Sequence, residues 1–272
     1  MSTSAVDKTF AGSIPRLYDE YLVPLIFAPY AEDLARRVAA RTPSRLLEIA
    51  AGTGVVTRAL AARLPASAVI VATDLNQAMI DTAAQIGTDR PVQWRQADAM
   101  QLPFADGEFD TVVCQFGAMF FPDKGAAFAE VRRVLNSGGV FLFNVWDRIE
   151  DNEIPDELTR AVATLFPDDP PRFLARTPHG YHDCSLIEDD LRRGGFAAQP
   201  QIETVAVRSR AGSARDAAIA FCQGTPLRNE IEARDASRLD EATAVAAEAI
   251  ARRFGRGPIE GKIQAHVVTV GR

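Results

Sequence analysis

The stretch LLEIAAGTGVVTRAL, residues Leu46–Leu60, joins two segments whose hydrophobic periodicities differ. As far as Ile49 it is a short apolar run typical of a buried strand. After Gly54, apolar residues return at the three-to-four-residue spacing of a helix. One glycine is enough for a tight turn, so the pair Gly52 and Gly54 indicates that a ligand approaches the backbone closely there.

The same alternation of strand and helix continues to about Trp146. The strand patterns are RLLEIA, AVIVATD, VQWRQAD, FDTVVCQF and GGVFLFNVW, and the helix patterns between them are VTRALAARL, NQAMIDTAAQI and KGAAFAEVRRVL. QIETVAVRS and IQAHVVTVGR add a sixth and a seventh strand. Strands that alternate with helices predict an α/β, doubly wound, mostly parallel sheet, with ligands bound beyond the carboxyl ends of its strands.

Segments outside this pattern predict additions to the core. We expect an N-terminal cap at residues 1–30, a core at 31–147, a lid insertion with the sixth-strand unit at 148–207, a helical insertion at 208–260 and a last core strand at 261–272. We further predict that the cap, lid and helical insertion form the acceptor pocket and that the first two close over the cofactor.

Composition excludes several classes of protein. The 272 residues carry a formal net charge of −6 with dispersed arginine pairs, which disfavours a nucleic-acid partner. No apolar run reaches the roughly 18 residues of a membrane-spanning helix, and the N-terminus lacks a signal-peptide pattern. Cys114, Cys184 and Cys222 form neither a disulfide framework nor a CxxC pair. We therefore expect a cytoplasmic protein without a membrane partner.

Acidic residues follow or end three successive predicted strands. Glu48 stands just before the glycine turn, Asp74 lies 20 residues beyond Gly54, and Asp98 follows the third strand. Asp74 is suited to accept hydrogen bonds from ribose hydroxyls, and Asp98 from an exocyclic amine. The structural alternatives are a helix N-cap for Asp74 and an ordinary turn aspartate for Asp98. Acids at successive strand ends favour a nucleoside site.

Thr57 bears on which nucleoside is bound. It occupies the third glycine position of the G-x-G-x-x-G fingerprint, which counts against the pyrophosphate site of a nicotinamide-dependent oxidoreductase. Such an enzyme stays an alternative, as does a non-catalytic nucleotide-binding module on the same fold.

Taken together, these stretches resemble the class I S-adenosylmethionine-dependent methyltransferases, in their small-molecule (type 11/25-like) branch. EIAAGTG is similar to the nucleoside-binding turn of that family, TDLNQAM to its acidic second-strand end, and QADAMQLPFADGEFDTVVCQFGAMFFPD to its later motifs. The resemblance spans roughly Tyr18 to Phe143. It implies a Rossmann-like seven-stranded sheet with helical cap and lid insertions, whose seventh strand lies antiparallel between the fifth and sixth.

The resemblance also implies S-adenosyl-L-methionine as cofactor and S-adenosyl-L-homocysteine as product. Glu48 would receive the methionine ammonium, Asp74 the ribose hydroxyls, Asp98 and Ala99 the adenine edge, and Gln115 the methionine portion. The full set of expected cofactor residues is Tyr21, Glu48, Ala50, Gly52, Thr53, Gly54, Asp74, Leu75, Met79, Asp98, Ala99, Met100 and Gln115. Ala50 departs from the family's first glycine, and a methyl group is tolerable there if its φ stays negative.

The implied reaction moves a methyl group to O, N or C of a small-molecule acceptor by in-line displacement. Such a reaction needs a base only where the nucleophile carries a proton. The sequence assigns no catalytic residue and no metal. His179 and His182 are the best candidates for a base, with polar loop residues as the favoured alternative, and His266 fits a structural role. A homodimer is left open.

Overall fold

A seven-stranded sheet organises the part of the chain that the computed structural model describes, residues 14–272. Its strands are β1 Arg45–Glu48, β2 Val69–Asp74, β3 Gln93–Gln96, β4 Phe109–Gln115, β5 Leu135–Trp146, β6 Gln201–Ala211 and β7 Ile259–Gly271. Their order is β3-β2-β1-β4-β5-β7-β6. The pairs β1–β2, β1–β4, β2–β3 and β4–β5 are all parallel. The predicted doubly wound, mostly parallel α/β sheet is confirmed.

β7 runs antiparallel to β5. The amide of Asp147, just after β5, donates to the Gln264 carbonyl oxygen at 3.1 Å, and the Arg272 amide donates to the Gly139 carbonyl oxygen at 2.9 Å. As the residue number increases along β5, the number of the paired residue in β7 decreases, which defines an antiparallel pair. The expectation that the last strand inserts between the fifth and the sixth is therefore confirmed.

The sheet order reverses between β1 and β4. The chain proceeds from β1 outward through β2 to β3, and then returns to place β4 on the other side of β1. A reversal of this kind opens a crevice outside the carboxyl ends of the two central strands, where ligands of open α/β sheets bind. Glu48 and Gln115 end the two strands that flank it.

Helices occupy most of the connections. They are α1 Ile14–Leu17, α2 Ala28–Ala39, α3 Val55–Arg63, α4 Gln77–Ile86, α5 Lys124–Val134, α6 Glu153–Ala163, α7 Phe173–Arg176, α8 Cys184–Arg193, α9 Ala214–Gln223, α10 Leu227–Asp235 and α11 Leu239–Phe254. A π-helical segment, Tyr18–Phe27, connects α1 to α2, and short 3₁₀ turns cover Ala118–Phe120, Ile149–Asp151 and Ala236–Arg238. Within residues 14–272, none of these helices combines the length and apolar composition needed to cross a bilayer.

The chain divides into two compact units. The first unit holds the described residues up to Ala28 together with Trp146–Gly180 and Ala206–Ala265, and the second unit holds Pro29–Val145, Tyr181–Val205 and His266–Arg272. The predicted domain boundaries stay predictions.

The second unit has a continuous apolar core beneath β1, β2, β4 and β5. Leu34 and Val38 of α2 pack there with Leu46 of β1, Leu60 of α3 and Leu142 of β5, each at most 1% exposed. Both faces of a parallel sheet are covered in this way, which explains why its strands are nearly continuous apolar runs. The core holds the strand ends, and with them the glycine turn, in fixed positions.

The first unit has a helical core of its own. α9 packs against α11 and the π-helical segment, and α11 packs against α6. Each contributes fully buried apolar side chains, for example Leu158 of α6, Ala217 of α9 and Ile250 of α11.

Candidate functional site

The connection from β1 to α3 is a turn with three left-handed residues at alternate positions. Their φ angles are +53° at Ala50, +57° at Gly52 and +83° at Gly54. The turn is tied to its neighbour strand by the Ala51 amide, which donates to the Thr73 carbonyl oxygen at 2.9 Å. Gly54 is the N-cap of α3, which begins at Val55. Glycine relieves the strain of two of the three positions.

From the sequence, a methyl group at position 50 is tolerable with a negative φ. In the structure the φ of Ala50 is positive. The turn accommodates its methyl group because Gly117, after β4, has no Cβ: an added Cβ there would lie 2.5 Å from the Ala50 Cβ and 2.8 Å from Cys114 Sγ. The condition of a negative φ at Ala50 is therefore not met, and the methyl group is accommodated at a positive φ instead. Space on the β4 side of the crevice takes up the methyl group.

Glu48, the last residue of β1, is a buried carboxyl group. It is 1% exposed, and its Oε2 accepts a hydrogen bond from Thr57 Oγ1 at 2.5 Å. Burial raises the pKa of Glu48 to about 8, although the Thr57 hydroxyl and the charge of Arg58 both act to lower it. Thr57, at the third position of the glycine fingerprint, thus holds the carboxyl group instead of leaving room for a pyrophosphate.

Asp74 joins the end of β2 to the glycine turn. Its Oδ2 accepts from the Gly52 amide at 2.9 Å, and its Oδ1 accepts from the Asn76 amide at 2.8 Å. Burial raises the pKa of Asp74 against the opposing effect of these amides. Asn76 precedes α4 but makes no side-chain capping bond to it. The carboxyl group therefore braces the turn rather than the helix.

Asp98 lies in a tight turn just after β3. Its Oδ1 accepts from the Met100 amide at 2.9 Å, and its carbonyl oxygen accepts from the Gln101 amide at 3.0 Å. The preceding amide, of Ala97, donates to the Asp74 carbonyl oxygen at 3.0 Å, which holds this turn beside the end of β2. The geometry of a turn aspartate is present, and the side chain stays half-buried at the same sheet edge.

Apolar groups of very different exposure flank these acids. Leu75, directly after Asp74, is 45% exposed, whereas Met79 on α4 is 3% and Ala99 is 9% exposed. Leu75 therefore offers most of the accessible apolar surface at this edge. A flat ring placed over it would cover a side chain that is otherwise costly to leave in water.

Thr53 carries an orphaned polar atom in the middle of the glycine turn. The residue is 1% exposed, and its Oγ1 is one of the few buried side-chain polar atoms of residues 14–272 without a hydrogen-bond partner. A buried hydroxyl group without a partner is unfavourable. This atom is a place for a ligand's polar group.

The structure brings most of the sequence-predicted site residues together. Those of the β1, β2, β3 and β4 ends all belong to the second unit and share one edge of adjacent parallel strands. They are Glu48, Ala50, Gly52, Thr53, Gly54, Asp74, Leu75, Met79, Asp98, Ala99, Met100 and Gln115. Tyr21 is the exception, because it is a half-buried residue of the π-helical segment in the first unit. Its cofactor contact stays a prediction.

The histidines considered as bases lie in different settings. His179 is 5% exposed, and its Nδ1 is 2.8 Å from the Asp147 carbonyl oxygen, so this ring tethers its loop to the residue after β5. His182 is half-buried. His266 Nδ1 pairs with Thr204 Oγ1 at 3.0 Å, between β7 and β6. These contacts account for His179 and His266 structurally, and no catalytic base is assigned.

Sequence reasoning missed three residues that shape the site. Thr57 was noted as a missing glycine and not as the partner of Glu48, and Gly117 and Asn144 were not singled out. Asn144 is a lone amide within the apolar run VFLFNVW and is 1% exposed. A buried polar group in an apolar strand is the signal that would have found it.

Comparison with known proteins finds methyltransferases. A family described as a methyltransferase domain matches residues 47–143. A demethylmenaquinone methyltransferase of Deinococcus radiodurans is 34% identical over 139 residues, which cover 50% of this chain and 57% of that protein. Another, of Lactiplantibacillus plantarum, is 31% identical over 167 residues, which cover 60% of this chain and 68% of that protein. The chain thus spans little more than half of the first relative.

A solved structure agrees in fold. The phosphoethanolamine N-methyltransferase 2 of Haemonchus contortus, in complex with phosphomonomethylethanolamine and S-adenosylhomocysteine, superposes with a TM-score of 0.60 at 14% identity, covering 100% of this chain and 61% of that one.

Proposed function

The chain belongs to the class I S-adenosylmethionine-dependent methyltransferases, and on that premise we propose that it transfers a methyl group from S-adenosylmethionine to a small-molecule acceptor. The observation that carries the proposal is the bracing of Asp74 against the Gly52 amide at 2.9 Å, beside the buried Glu48. It places two carboxyl groups and a glycine-rich backbone turn at one edge of the sheet. A nucleoside that carries a cationic amino-acid tail fits such a set.

Several residues of the second unit would hold this cofactor. Asp74 would accept the ribose hydroxyls, while Leu75 and the turn of Asp98 would contact the adenine. Glu48 would pair with the methionine ammonium. The unpartnered Thr53 hydroxyl group, on a residue 1% exposed, would donate to or accept from the polar tail. The fit extends to Gln115, at the β4 end of the same crevice.

When bound, S-adenosylmethionine supplies a methyl group on a positively charged sulfur, and this sulfur is the leaving atom, which becomes a neutral thioether. The protein's task is then to align the acceptor with the methyl group and to exclude water. No general acid is required, and a base matters only where the acceptor atom carries a proton. This fits a site whose residues bind and orient.

We propose a quinol or a related hydroxylated aromatic compound as the acceptor class to examine first. Two relatives are named demethylmenaquinone methyltransferases, and the segment after β4, FGAMFFPD, is rich in aromatic and apolar side chains that suit such a ring. The family match, residues 47–143, lies outside the segments predicted to form the acceptor pocket.

The setting of the reaction follows from composition. We place it in the cytoplasm, because Cys114, Cys184 and Cys222 are all free thiols, as in proteins kept in a reducing compartment. The net charge of −6 disfavours a nucleic-acid acceptor. A homodimer stays a prediction.

Titration calorimetry tests the cofactor. We expect S-adenosylmethionine and S-adenosylhomocysteine to bind with dissociation constants of about 1 μM, which corresponds to roughly −8 kcal/mol, and NAD⁺ not to bind. Binding of NAD⁺ alone would favour the oxidoreductase alternative. Binding of neither would refute the family's function for this chain.

A methyl-transfer assay separates an enzyme from a non-catalytic module. The acceptor is a short-chain 2-demethyl naphthoquinol kept reduced by dithionite, and the methylated product is detected by mass spectrometry. The non-catalytic module would be favoured if the protein bound the cofactor but methylated neither this quinol nor any compound of a panel of phenols and amines.

A further inference from the structure

The end of β4 contains a backbone conformation that a bulky residue rarely adopts. Phe116, the next residue, has a φ of +51°, in the left-handed region where a side chain with a Cβ is strained. Such conformations persist only where the surroundings overdetermine them, and they cluster at functional sites. The contacts that hold Phe116 therefore indicate what this corner does.

Asn144 of β5 supplies the polar contacts. It lies opposite Gln115 in the β4–β5 register. The Phe116 amide donates to the Asn144 carbonyl oxygen at 3.1 Å and to its Oδ1 at 3.0 Å, while Asn144 Nδ2 lies 3.5 Å from Gln115 Oε1. Since Asn144 is 1% exposed, water does not substitute for these contacts. One amide side chain thus holds two consecutive residues at the end of β4.

Tyr30 of α2 holds Phe116 through its ring. The two rings meet edge to face, with centroids 5.3 Å apart and planes at 89°. Tyr30 is itself fixed, because it is fully buried and its hydroxyl group donates to the Val205 carbonyl oxygen at 2.9 Å. The strained residue is therefore fixed by its amide and by its side chain.

Gly117, the next residue, connects the fixed position of Phe116 to the glycine turn. Gly117 packs so closely on Ala50 that an added Cβ would approach the Ala50 Cβ to 2.5 Å. The corner from Gln115 to Gly117 thus forms one wall of the crevice between β1 and β4, and the glycine turn forms the other. Asp74 and Asp98 lie on the β2 and β3 side.

We propose that Asn144 is a positioning residue for the methionine half of the cofactor. It keeps Phe116 left-handed, and so holds the corner from Gln115 to Gly117 in place against Ala50. The adenosine half, held from β2 and β3, does not depend on it. This inference rests on the proposed function and deepens it, because it assigns a separate support to each half of the ligand.

The test compares S-adenosylhomocysteine with adenosine, which lacks the amino-acid tail, in calorimetric titrations. Asn144→Leu is similar in size and removes both side-chain amide contacts, so the Phe116 amide keeps only the backbone carbonyl oxygen of residue 144. We expect it to weaken S-adenosylhomocysteine binding about 10-fold or more and to leave adenosine affinity within about twofold, a difference below 0.5 kcal/mol. Asn144→Asp keeps an acceptor for the Phe116 amide and should recover most of the loss.

Asn152→Leu is the matched control, because it removes an equally buried amide, 0% exposed, from the first unit. It should lower thermal stability without changing the ratio of the two affinities. Equal loss of both ligands in folded Asn144→Leu, or no loss of either, would overturn the proposal, and so would a changed ratio in the control. Wild-type protein that binds neither ligand would instead refute the proposed function.

Hydrogen exchange on the wild type provides a measurement that does not depend on the variant folding. The peptide covering residues 112–121 should gain protection with saturating S-adenosylhomocysteine and not with saturating adenosine. Equal protection by both ligands, or by neither, would contradict the assignment.

Discussion

The Cβ of Ala50 fills the space that a side chain on Gly117 would need, and an added Cβ on Gly117 would lie 2.5 Å from it. The two residues belong to different strand ends, one after β1 and one after β4, and they meet at the point where the sheet order reverses. The alanine at position 50 therefore leaves room only for glycine at position 117.

Gly117→Ala should destabilise the protein by about 2–3 kcal/mol, because overpacking a buried site without room to relax costs this much. In the Ala50→Gly background the same change should cost at least about 1 kcal/mol less, since the worst contact is gone and only Cys114 Sγ, at 2.8 Å, remains. Urea denaturation of the four proteins in the cycle measures the coupling. Strictly additive losses would show that the two residues do not compete for space.

Gly54 and Gly87 allow strain to be separated from crowding. Both are left-handed, with φ of +83° and +78°, but an added Cβ on Gly54 would lie 2.8 Å from Trp94 Cη2 and 3.2 Å from the Ala83 Cβ, whereas nothing lies within 4 Å at Gly87. Gly87→Ala should cost about 1–3 kcal/mol from the backbone alone, because a φ of +78° with a ψ of −178° is essentially restricted to glycine. Gly54→Ala should cost about 1–2 kcal/mol from its left-handed backbone and a further 1–3 kcal/mol or so from overpacking.

Chemical denaturation followed by circular dichroism gives both free energies of unfolding. Cofactor titration of the two variants adds a functional comparison, and only Gly54→Ala should weaken S-adenosylhomocysteine binding. A loss of stability in Gly54→Ala no larger than the roughly 1–2 kcal/mol of a left-handed backbone would mean that Trp94 moves aside without cost.

The strand ends that form the site could be predicted from the sequence because each follows a short apolar run. Glu48, Asp74 and Asp98 all lie at the expected edge, since the carboxyl ends of parallel strands share one edge. Helix α10, Leu227–Asp235, was missed because only Leu227 and Ile231 of its nine residues are buried. Two large apolar residues in LRNEIEARD do not give a helical stripe.

Contacts between strand ends could not be predicted in the same way. Ala50 faces Gly117 and Asn144 faces Phe116 only because β4 lies between β1 and β5, a relationship set by the sheet order and not by spacing along the chain. That packing also makes room for the Ala50 methyl group at a positive φ. Local patterns predict the elements, and long-range register decides which residues oppose each other.

Asp74→Ala should weaken S-adenosylhomocysteine binding by roughly 1.5–3 kcal/mol, the contribution of hydrogen bonds to a charged group. Asp74→Asn should also lose affinity, because both carboxyl oxygens accept from amides, Gly52 at 2.9 Å and Asn76 at 2.8 Å, and an amide side chain has only one acceptor atom. Calorimetric titration measures both changes.

Asp183→Ala is the control for Asp74, because Asp183 Oδ1 likewise accepts an amide hydrogen bond, from Ser185 at 2.9 Å, but at the start of α8. It should lower stability, as expected for a lost N-cap, and leave cofactor affinity unchanged. Normal affinity in a folded Asp74→Ala variant would remove Asp74 from the site.

Glu48 should make folding stability depend on pH. Its folded-state pKa, about 8, lies above the ordinary carboxyl value of 4.5 because burial disfavours the charge. Between these values the folded state binds more protons than the unfolded state, so the contribution of Glu48 to stability is greatest below pH 4.5, falls as pH rises toward 8 and levels off above it. Asp74, whose pKa is also raised by burial, adds a change of the same sign.

Glu48→Gln keeps an acceptor for the Thr57 hydroxyl group and cannot ionise, so it should be more stable than the wild type at pH 8 and should flatten the fall between pH 5 and pH 8. Asp74 accounts for the dependence that remains. Urea midpoints at pH 5, 6.5 and 8 for the two proteins measure the effect. If the two profiles run parallel, Glu48 does not change its protonation on unfolding in this range.

Glu48 should also release a proton when the ligand binds, which calorimetry at pH 7 in two buffers of different ionisation enthalpy measures. Pairing with a ligand ammonium favours the carboxylate, so wild-type protein should release close to one proton on binding S-adenosylhomocysteine, and Glu48→Gln should release markedly less.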